Sequence, residues 1–554
     1  MKARKVILGA SLILLSFSVG FITNVSDDYY EISKNLDIFG RLYREVNSLY
    51  VEETDPEELM RTGIDAMLKS LDPYTSYISE DELDDYRFMS TGQYGGIGAL
   101  VGKREGKFFV IEAYKDYPAD KAGLKAGDEI LQIDQQAVDG NNMEVADLRK
   151  MLRGDKATHV KLMVNRKGSN NAQTFKILRD RIHVKNVPYF GMVNDEVGYI
   201  ALSGFTKDAS REVQYAIQVL KEATPDLSGL ILDLRGNPGG RLDEAVKVAN
   251  VFVPQKEIIV ETRGRLEDSR RVHFAQRIPV DTKIPLAVLV NKRSASASEI
   301  VAGAIQDLDR GVIVGQQSFG KGLVQNIRPL SYNTQLKVTT AKYYTPSGRC
   351  IQALDYGQKD SKGRAIRVAD SARRAFQTSR GRTVYDGGGI APDIPVELPV
   401  NYTIVQELQD QGLIFDFATQ FVVSHTQIPS PRSFQITSEM YNDFLNFVKE
   451  RDFAFQTKAD KELSTLKEVV QKEAYADQLE QELAQLASEL DRLKDKDLNK
   501  HKDHISWLLK QEIIKRYYYE AGTLESALDH DQEVKEAVSV LRNASNYNRI
   551  LNKQ

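Results

Sequence analysis

The chain has 554 residues, more than a single hydrophobic core serves, so roughly three to five domains are expected. Lys and Arg number 74 against 78 Asp and Glu, and no basic patch with interleaved aromatics stands out, which argues against a nucleic-acid binder. The single cysteine, Cys350, excludes an intramolecular disulfide.

The N-terminus opens with the basic run "MKARK", followed by an uncharged, mostly apolar stretch from Val6 to Ile22. A positive segment ahead of an apolar one is an export signal. No strong small-x-small cleavage site precedes Ser26 and no lipobox cysteine is present, so residues 1–25 read equally as a removed signal peptide or an uncleaved membrane anchor. Either places the rest of the chain outside the cytoplasm, in the periplasm or on the inner membrane facing it.

Residues 26–85 read as amphipathic helices. In "LDIFGRLYREVNSLYV", Leu36, Phe39, Leu42, Val46 and Leu49 recur at spacings of three and four. Asp55-Pro56 supplies an N-cap and first-turn signal for a second helix. From 86 to 180 the pattern turns to short β-rich runs, "YGGIGALVGK", "KFFVIEAY", "HVKLMVNRKG" and "AQTFKILRD", with one helix in "MEVADLRKMLRG". From 181 to 400 apolar strands ("EVGYIALSGF", "LSGLILDLRG", "PLAVLVN") alternate with helices ("SREVQYAIQVLKEAT", "LDEAVKVANVFV", "ASEIVAGAIQDL"), which implies an α/β layered sheet. Residues 401–554 are helical and highly charged. There Leu479, Leu483, Leu486, Leu490 and Leu493 follow a 4-3-4-3 spacing, short for a coiled coil and equally the face of a helix packed on its neighbours.

Three serines stand where the strand "PLAVLVN" gives way to a helix, in "NKRSASASEIVAGAIQD". Ser296-Ala-Ser-Glu299 matches a capping box, so Ser296 can serve simply to start the helix. The same position puts outward-pointing N–H groups and a favourable helix field beside a hydroxyl, the setting an acyl-transfer oxyanion needs. A second Gly-rich turn, "ILDLRGNPGG", follows another buried strand and offers further donors. A serine nucleophile needs a base. The two histidines of the α/β region, His183 and His273, look like strand or loop residues. A lysine can act instead if it is desolvated, and Lys321 lies between Gly320 and Gly322 in "QQSFGKGLVQNI". Gln325 follows four residues later, about 13 Å away along a straight strand, so contact between them needs a bend.

These segments, with "YYTPSGRCIQ" and "DGGGIAPDIPV", occur in the order and spacing of one family. Over roughly residues 35–400 the chain resembles the C-terminal processing peptidases, or tail-specific proteases, which are Ser-Lys serine endopeptidases. The resemblance implies a multidomain α+β protein. Its α/β layered (crotonase/ClpP-like) peptidase core would carry an inserted β-rich PDZ domain, with helical N- and C-terminal regions. It places the nucleophile on Ser296, the general base on Lys321, the lysine-orienting glutamine on Gln325, and the oxyanion donors on the N–H groups of Gly239 and Ala297. Arg293 departs from the small residue that often precedes the serines.

"YGGIGALV" resembles a PDZ carboxylate-binding loop and "GLKAGDEILQID" a PDZ strand. Gly96, Ile97 and Gly98 would form the nest for a chain-terminal carboxylate, and Ile97, Leu100 and Met143 the apolar pockets, with the substrate tail adding to a strand edge. Arg153 lies where some relatives couple the PDZ domain to the peptidase; a surface arginine is the alternative. The tail beyond Asn401 resembles the helical extension of some bacterial members, of a Bacteroidetes type. The partners implied are protein or peptide substrates with apolar C-termini, with the membrane available through the N-terminal segment, no nucleic acid, and the helical ends as candidates for making a homodimer. No metal-ligand cluster such as H-E-x-x-H is present, so neither metal nor cofactor is expected. The alternative reading is a catalytically silent PDZ adaptor or assembly protein.

Overall fold

The computed structural model describes residues 29–397, 402–451, 453–473 and 475–552. The apolar segment Val6–Ile22 lies outside them. Among the described residues no helix is long and apolar enough to cross a membrane. The chain divides into two units: residues up to Glu80 together with Gln325–Thr339, and the remainder.

The smaller unit begins with helix α1 (29–49) and helix α2 (Pro56–Lys69), followed by strand β1 (Ser76–Ile78). Asp55 caps α2 as its sequence suggests, its carboxylate accepting from Glu57 N at 2.8 Å and Glu58 N at 3.1 Å. The apolar stripe expected on α1 is present, yet Leu36, Phe39, Leu42 and Leu49 are exposed.

The larger unit starts at α3 (Leu83–Thr91) and β2 (Gln93–Gly96). A β-rich layer follows: β3 (Ala99–Arg104), β4 (Lys107–Ala113), the short α4 (Pro118–Lys121), β5 (Glu129–Ile133), β6 (Gln136–Ala137), α5 (Val145–Leu152), β7 (His159–Asn165) and β8 (Gln173–Leu178). The strands run in the order β3-β4-β5-β7-β8, with β6 on β5, so β3 is an edge. Strand period 2 is visible in β7, where Val160, Leu162 and Val164 point inward onto Leu148 of α5 while their neighbours face out. β9 (Asp180–His183) pairs back on β2.

The α/β layer comprises β10 (Tyr189–Met192), β11 (Val197–Ala201), α6 (Ala209–Ala223), β12 (Gly229–Asp233), α7 (Leu242–Phe252), β13 (Ile258–Gly264), β14 (Arg271–Phe274), β15 (Leu286–Val290), α8 (Ala297–Asp307) and β16 (Val312–Gly315). Then come β17 (Leu323–Pro329), β18 (Gln335–Tyr344), the hairpins β19 (Leu354–Lys359) with β20 (Ala365–Arg367) and β21 (Ala375–Gln377) with β22 (Thr383–Tyr385), and β23 (Ile394–Pro395). The central sheet has the order β10-β11-β12-β15-β16-β23. It is parallel from β11 onward, with β10 antiparallel. Within the smaller unit the first part of β18 pairs with β1; within the larger its last residues pair with β13.

The helices that follow are α9 (Thr403–Asp410), α10 (Leu413–Ser424), α11 (Ser438–Glu450), α12 (Lys458–Lys472), α13 (Ala476–Lys500), α14 (Lys502–Ala527), α15 (Gln532–Arg542) and α16 (Ala544–Ile550). Phe417, Phe421, Phe444, Leu509 and Ile513 form the core of a bundle with α10 against α14. The bundle grips the β-rich layer through Arg104–Asp416 at 2.5 Å, Lys515–Glu112 at 3.1 Å and the Tyr519 hydroxyl on Asp120 at 2.7 Å. Tyr519 breaks α14 with φ 60° and ψ −166°.

The last two helices do not belong to that bundle. Strands buried on both faces need a layer on each. One face of the central sheet, with Leu230, Leu232, Val288 and Val290, packs on α6, α7 and α8. The other, with Ile231, Ala287, Leu289 and Val314, packs on Val534, Ala537, Val540 and Leu541 of α15 and Tyr547 of α16. The helical region expected over 401–554 thus divides, its end completing the α/β layer. Leu541→Ala should cost about 2–5 kcal/mol in urea unfolding followed by near-ultraviolet circular dichroism; an unchanged midpoint would show that α15 is dispensable to the sheet.

Candidate active site

β15 ends at Val290 and α8 begins at Ala297, and the serines of the connecting turn are not equivalent. The Ser294 hydroxyl donates to Leu234 O at 2.8 Å and accepts from Asn291 N at 2.9 Å. The Ser298 hydroxyl donates to Asn237 O at 2.9 Å. Both residues are fully buried. Ser296 is half-buried; its side chain faces the Glu299 N–H in a capping box whose other half is the Ser296 N–H on the Glu299 carboxylate, and unlike its neighbours it donates to no buried carbonyl among the described residues. Its backbone stands at φ 57° and ψ −111°, a conformation that costs a non-glycine residue about 1–3 kcal/mol and persists only where surroundings enforce it.

Glu299 enforces it. Its carboxylate is buried and accepts four hydrogen bonds. Oε2 takes Ser296 N–H at 2.8 Å and Lys321 N–H at 2.9 Å. Oε1 takes Gly320 N–H at 2.7 Å and the Ser318 hydroxyl at 2.6 Å. Burial pushes the Glu299 carboxyl above its ordinary range, and the four donors oppose that shift. One carboxylate oxygen therefore ties the backbone of Ser296 to that of Lys321. The glycines flanking the lysine are packing requirements: a Cβ on Gly320, at φ +87°, would lie 2.4 Å from Ala353 Cβ, and one on Gly322 would lie 2.8 Å from Gln352 N. The carbonyl of the half-buried Lys321 accepts from the Tyr343 hydroxyl. Gln325 sits on β17, in the smaller unit, where its amide Nε2 donates to Thr339 Oγ1 at 3.2 Å.

The Gly-rich turn after β12 lies against the start of α8. A Cβ on Gly239, at φ +100°, would stand 2.7 Å from Ala295 O and 2.9 Å from both Ala297 N and Ser296 Cβ, so only glycine fits. The Ala297 N–H has no partner among the described residues. The Gly239 N–H is occupied: it donates to Asn237 Oδ1 at 2.9 Å. The buried Asn237 also donates Nδ2 to Leu202 O at 2.7 Å. The turn is anchored from behind, where Asp233 accepts from the Tyr199 hydroxyl at 2.7 Å and pairs with Arg235 at 2.6 Å. Arg235 in turn reaches Asp531, 2.7 Å away, and Glu533, from the start of α15.

Residues 196–357 match Peptidase family S41, residues 109–166 a PDZ domain, and residues 404–541 the C-terminal helical domain of probable PDZ-proteases. A carboxy-terminal-processing protease of Bartonella bacilliformis is 41% identical over 352 residues, covering 63% of this chain and 79% of the relative. The chain belongs to the C-terminal processing peptidases of family S41. It is accordingly a serine-type peptidase. A probable CtpA-like serine protease of Staphylococcus epidermidis is 34% identical over 351 residues, 62% of this chain and 70% of the relative. Among solved structures, a photosystem II D1 C-terminal processing protease aligns over 66% of this chain and 94% of its own at 26% identity, with a TM-score of 0.35.

In this peptidase the β-rich layer, with its PDZ match, keeps a groove of about 180 Å³ lined by Ile97, Leu100, Val101, Tyr114 and Leu152. Its wall is β3, the edge strand. Gly98, at φ +75°, admits no Cβ, which would lie 2.6 Å from Tyr117 Cβ. At Gly96 a Cβ would lie 2.9 Å from the Tyr94 ring. Met143 does not line this groove; its side chain packs on the PDZ core and its carbonyl accepts from Lys103 Nζ at 2.9 Å. Arg153 lines it, pairs with Asp85 of α3, and lies over the Phe88 and Tyr94 rings at 5.9 and 5.4 Å.

Sequence reasoning gave Glu299 only the role of a helix cap. Glu299→Gln replaces an acceptor-only group by one that points N–H donors at N–H donors. It should lower kcat about 10²- to 10³-fold while KM for a peptide substrate changes little; equal changes in both would mark it as merely structural. Ser298→Ala should lower the melting temperature, through a buried carbonyl losing its donor at about 1–3 kcal/mol, yet keep kcat within a few-fold in assays below the transition.

Proposed function

We propose that the peptidase is an exported Ser-Lys endopeptidase that cuts proteins in or near their C-terminal regions, with Ser296 as nucleophile and Lys321 as general base. The observation that carries this reading is the inequality of the serines: Ser294 and Ser298 donate their hydroxyl protons to buried carbonyls, while the half-buried Ser296 donates to none and stands on a backbone tied through Glu299 to Lys321. Lys321, as the neutral amine, takes the Ser296 proton as Oγ attacks the scissile carbonyl. The ammonium then gives that proton to the leaving amine, and the amide C–N bond breaks to leave an acyl-enzyme. Water attacks the ester with the lysine again as base, and Ser296 recovers its proton.

The oxyanion falls to the N–H groups of Ala297 and Gly239. Gly239 can serve only when its N–H leaves Asn237 Oδ1, so productive binding in this reading includes a small rearrangement of the "GNPGG" turn. The PDZ groove receives the substrate's C-terminus: the tail adds to the edge of β3, its terminal carboxylate meets the N–H groups around Gly96, Ile97 and Gly98, and its apolar side chains enter the space beside Leu100. In this reading Arg153, which pairs with Asp85 of α3, reports groove occupancy to the rest of the unit. The basic and apolar N-terminus carries the chain out of the cytoplasm, leaving it periplasmic or anchored to the inner membrane.

The test is digestion of an unfolded protein bearing an apolar C-terminus, followed from about pH 6 to pH 9. Ser296→Ala and Lys321→Ala should each lose at least about 10³-fold in kcat/KM relative to wild type. Wild type cleaving no better than either variant would sink the dyad and favour a silent PDZ adaptor.

A further inference from the structure

Arg235 stands at the start of the Gly-rich turn after β12, and its guanidinium is divided between two elements. Nε and one terminal nitrogen hold Asp233, at 3.0 Å and 2.6 Å. The other terminal nitrogen holds Asp531, at 2.7 Å, and Glu533, the N-cap and a first-turn residue of α15. The Asp531 carboxylate does two things at once. Its Oδ2 takes the guanidinium, while Oδ1 caps the helix by accepting from Glu533 N at 2.9 Å and Val534 N at 3.0 Å. Glu533 is buried, and its Oε1 has no hydrogen-bond partner among the described residues. Three carboxylates thus share one guanidinium, with an oxygen left over. Stability is a poor reason for such a cluster, since buried ion pairs gain little over apolar packing. What the cluster does provide is a fixed geometry: a planar fork that meets Asp233 and α15 together is held in one orientation.

That orientation matters because of what the turn is fastened to. Gly236 N–H donates to Asn291 Oδ1 at 3.0 Å, and Ala295 N–H to Asn237 O at 3.1 Å. The Ser294 and Ser298 hydroxyls donate to Leu234 O and Asn237 O. These four bonds lace the turn to the serine segment on both sides of Ser296. Gly239 closes the same turn, against Ala295 O and Ala297 N. A displacement of Arg235 from α15 is therefore carried to the nucleophile and to the donor opposite it. Asp531 and Glu533 lie in the span that matches the C-terminal helical domain, outside the span that matches Peptidase family S41. We propose that Asp531 and Glu533 are positioning residues for the reaction. Through Arg235 they hold the Gly239 turn in register with Ser296, so the helical domain supplies part of the active-site geometry. The proposal rests on the reading of Ser296 as nucleophile and Gly239 as oxyanion donor.

The test uses the full chain and two inhibitors of one peptide sequence, an aldehyde and the corresponding alcohol. Ser296 Oγ adds to the aldehyde carbon, the C=O pair moves onto oxygen, and the serine proton passes to Lys321. The alcohol makes the remaining contacts without that adduct, so the aldehyde alone reports the oxyanion donors. Asp531→Asn combined with Glu533→Gln keeps the size of both side chains and the cap of α15 while removing their charge. It should lower kcat about 10- to 100-fold and leave KM within about two-fold. It should weaken the aldehyde by the same factor as kcat/KM and leave the affinity of the alcohol unaltered. Arg542→Gln, which breaks an exposed pair of the same helix with Glu196, should keep the wild-type kcat. If the double variant does not fold, Asp531→Asn alone should show the same pattern with a smaller loss. Wild-type kcat in the charge-removed variants, or equal weakening of aldehyde and alcohol, would overturn the proposal; the second result would give α15 a structural role only. A wild-type enzyme that binds the aldehyde no more tightly than the alcohol would instead contradict the reading of Ser296, and the proposal would fall with it.

Discussion

The arrangement of the active site hangs on one buried carboxylate. Glu299 has no contact with water and no cationic partner among its hydrogen bonds; it is held by three main-chain N–H groups and the Ser318 hydroxyl. Burying an ionised carboxyl is costly unless its lone pairs are filled, and four donors fill them. The consequence is geometric. Two segments, one after β15 and one before β17, are fastened to the same few atoms, and each carries one member of the proposed dyad. The strained backbone of Ser296 persists because its N–H is one of the four. The hydroxyl faces the Glu299 N–H at the helix start while the carboxylate takes the Ser296 N–H in return.

Other parts of the fold support this junction from outside. Ser318 relays it onward by accepting from Ile390 N at 2.6 Å. Gly320 and Gly322 let the lysine segment lie directly on Ala353 and Gln352. On the other side, the Gly239 turn is set by Asp233 and Arg235, which α15 clamps through Asp531 and Glu533. Glu533 is itself buried, and burial pushes its carboxyl up. A helix some three hundred residues along the chain thereby bears on the turn proposed to carry an oxyanion donor.

Much of this was legible in the sequence, for identifiable reasons. Runs such as "LAVLV" signal strands buried on both faces, and they turned out to need α15 and α16 as a second layer, although nothing local in "QEVKEAVSVLR" names the sheet as its partner. The capping box was legible because it spans four residues. The wider role of Glu299 was not, since Ser318, Gly320 and Lys321 lie about twenty residues on and no periodicity links them. Family resemblance singled out Ser296, and the physical distinction among the serines became visible only as hydrogen bonds to carbonyls of the "LRGN" turn. The occupation of the Gly239 N–H by Asn237 was likewise beyond any motif, because a Gly-rich turn announces donors without saying where they point. The leucine row of α13 was legible as a pattern, and only the structure separates the exposed Leu479, Leu486 and Leu493 from the half-buried Leu483 and Leu490.

The most direct test of the account is to map the site of covalent attachment of an acyl-type serine probe on the intact enzyme by peptide mass spectrometry. The account predicts a single adduct on Ser296, within the peptide that begins after Arg293. An adduct on Ser294 or Ser298, or an active enzyme that labels at neither this turn nor its neighbours, would contradict it.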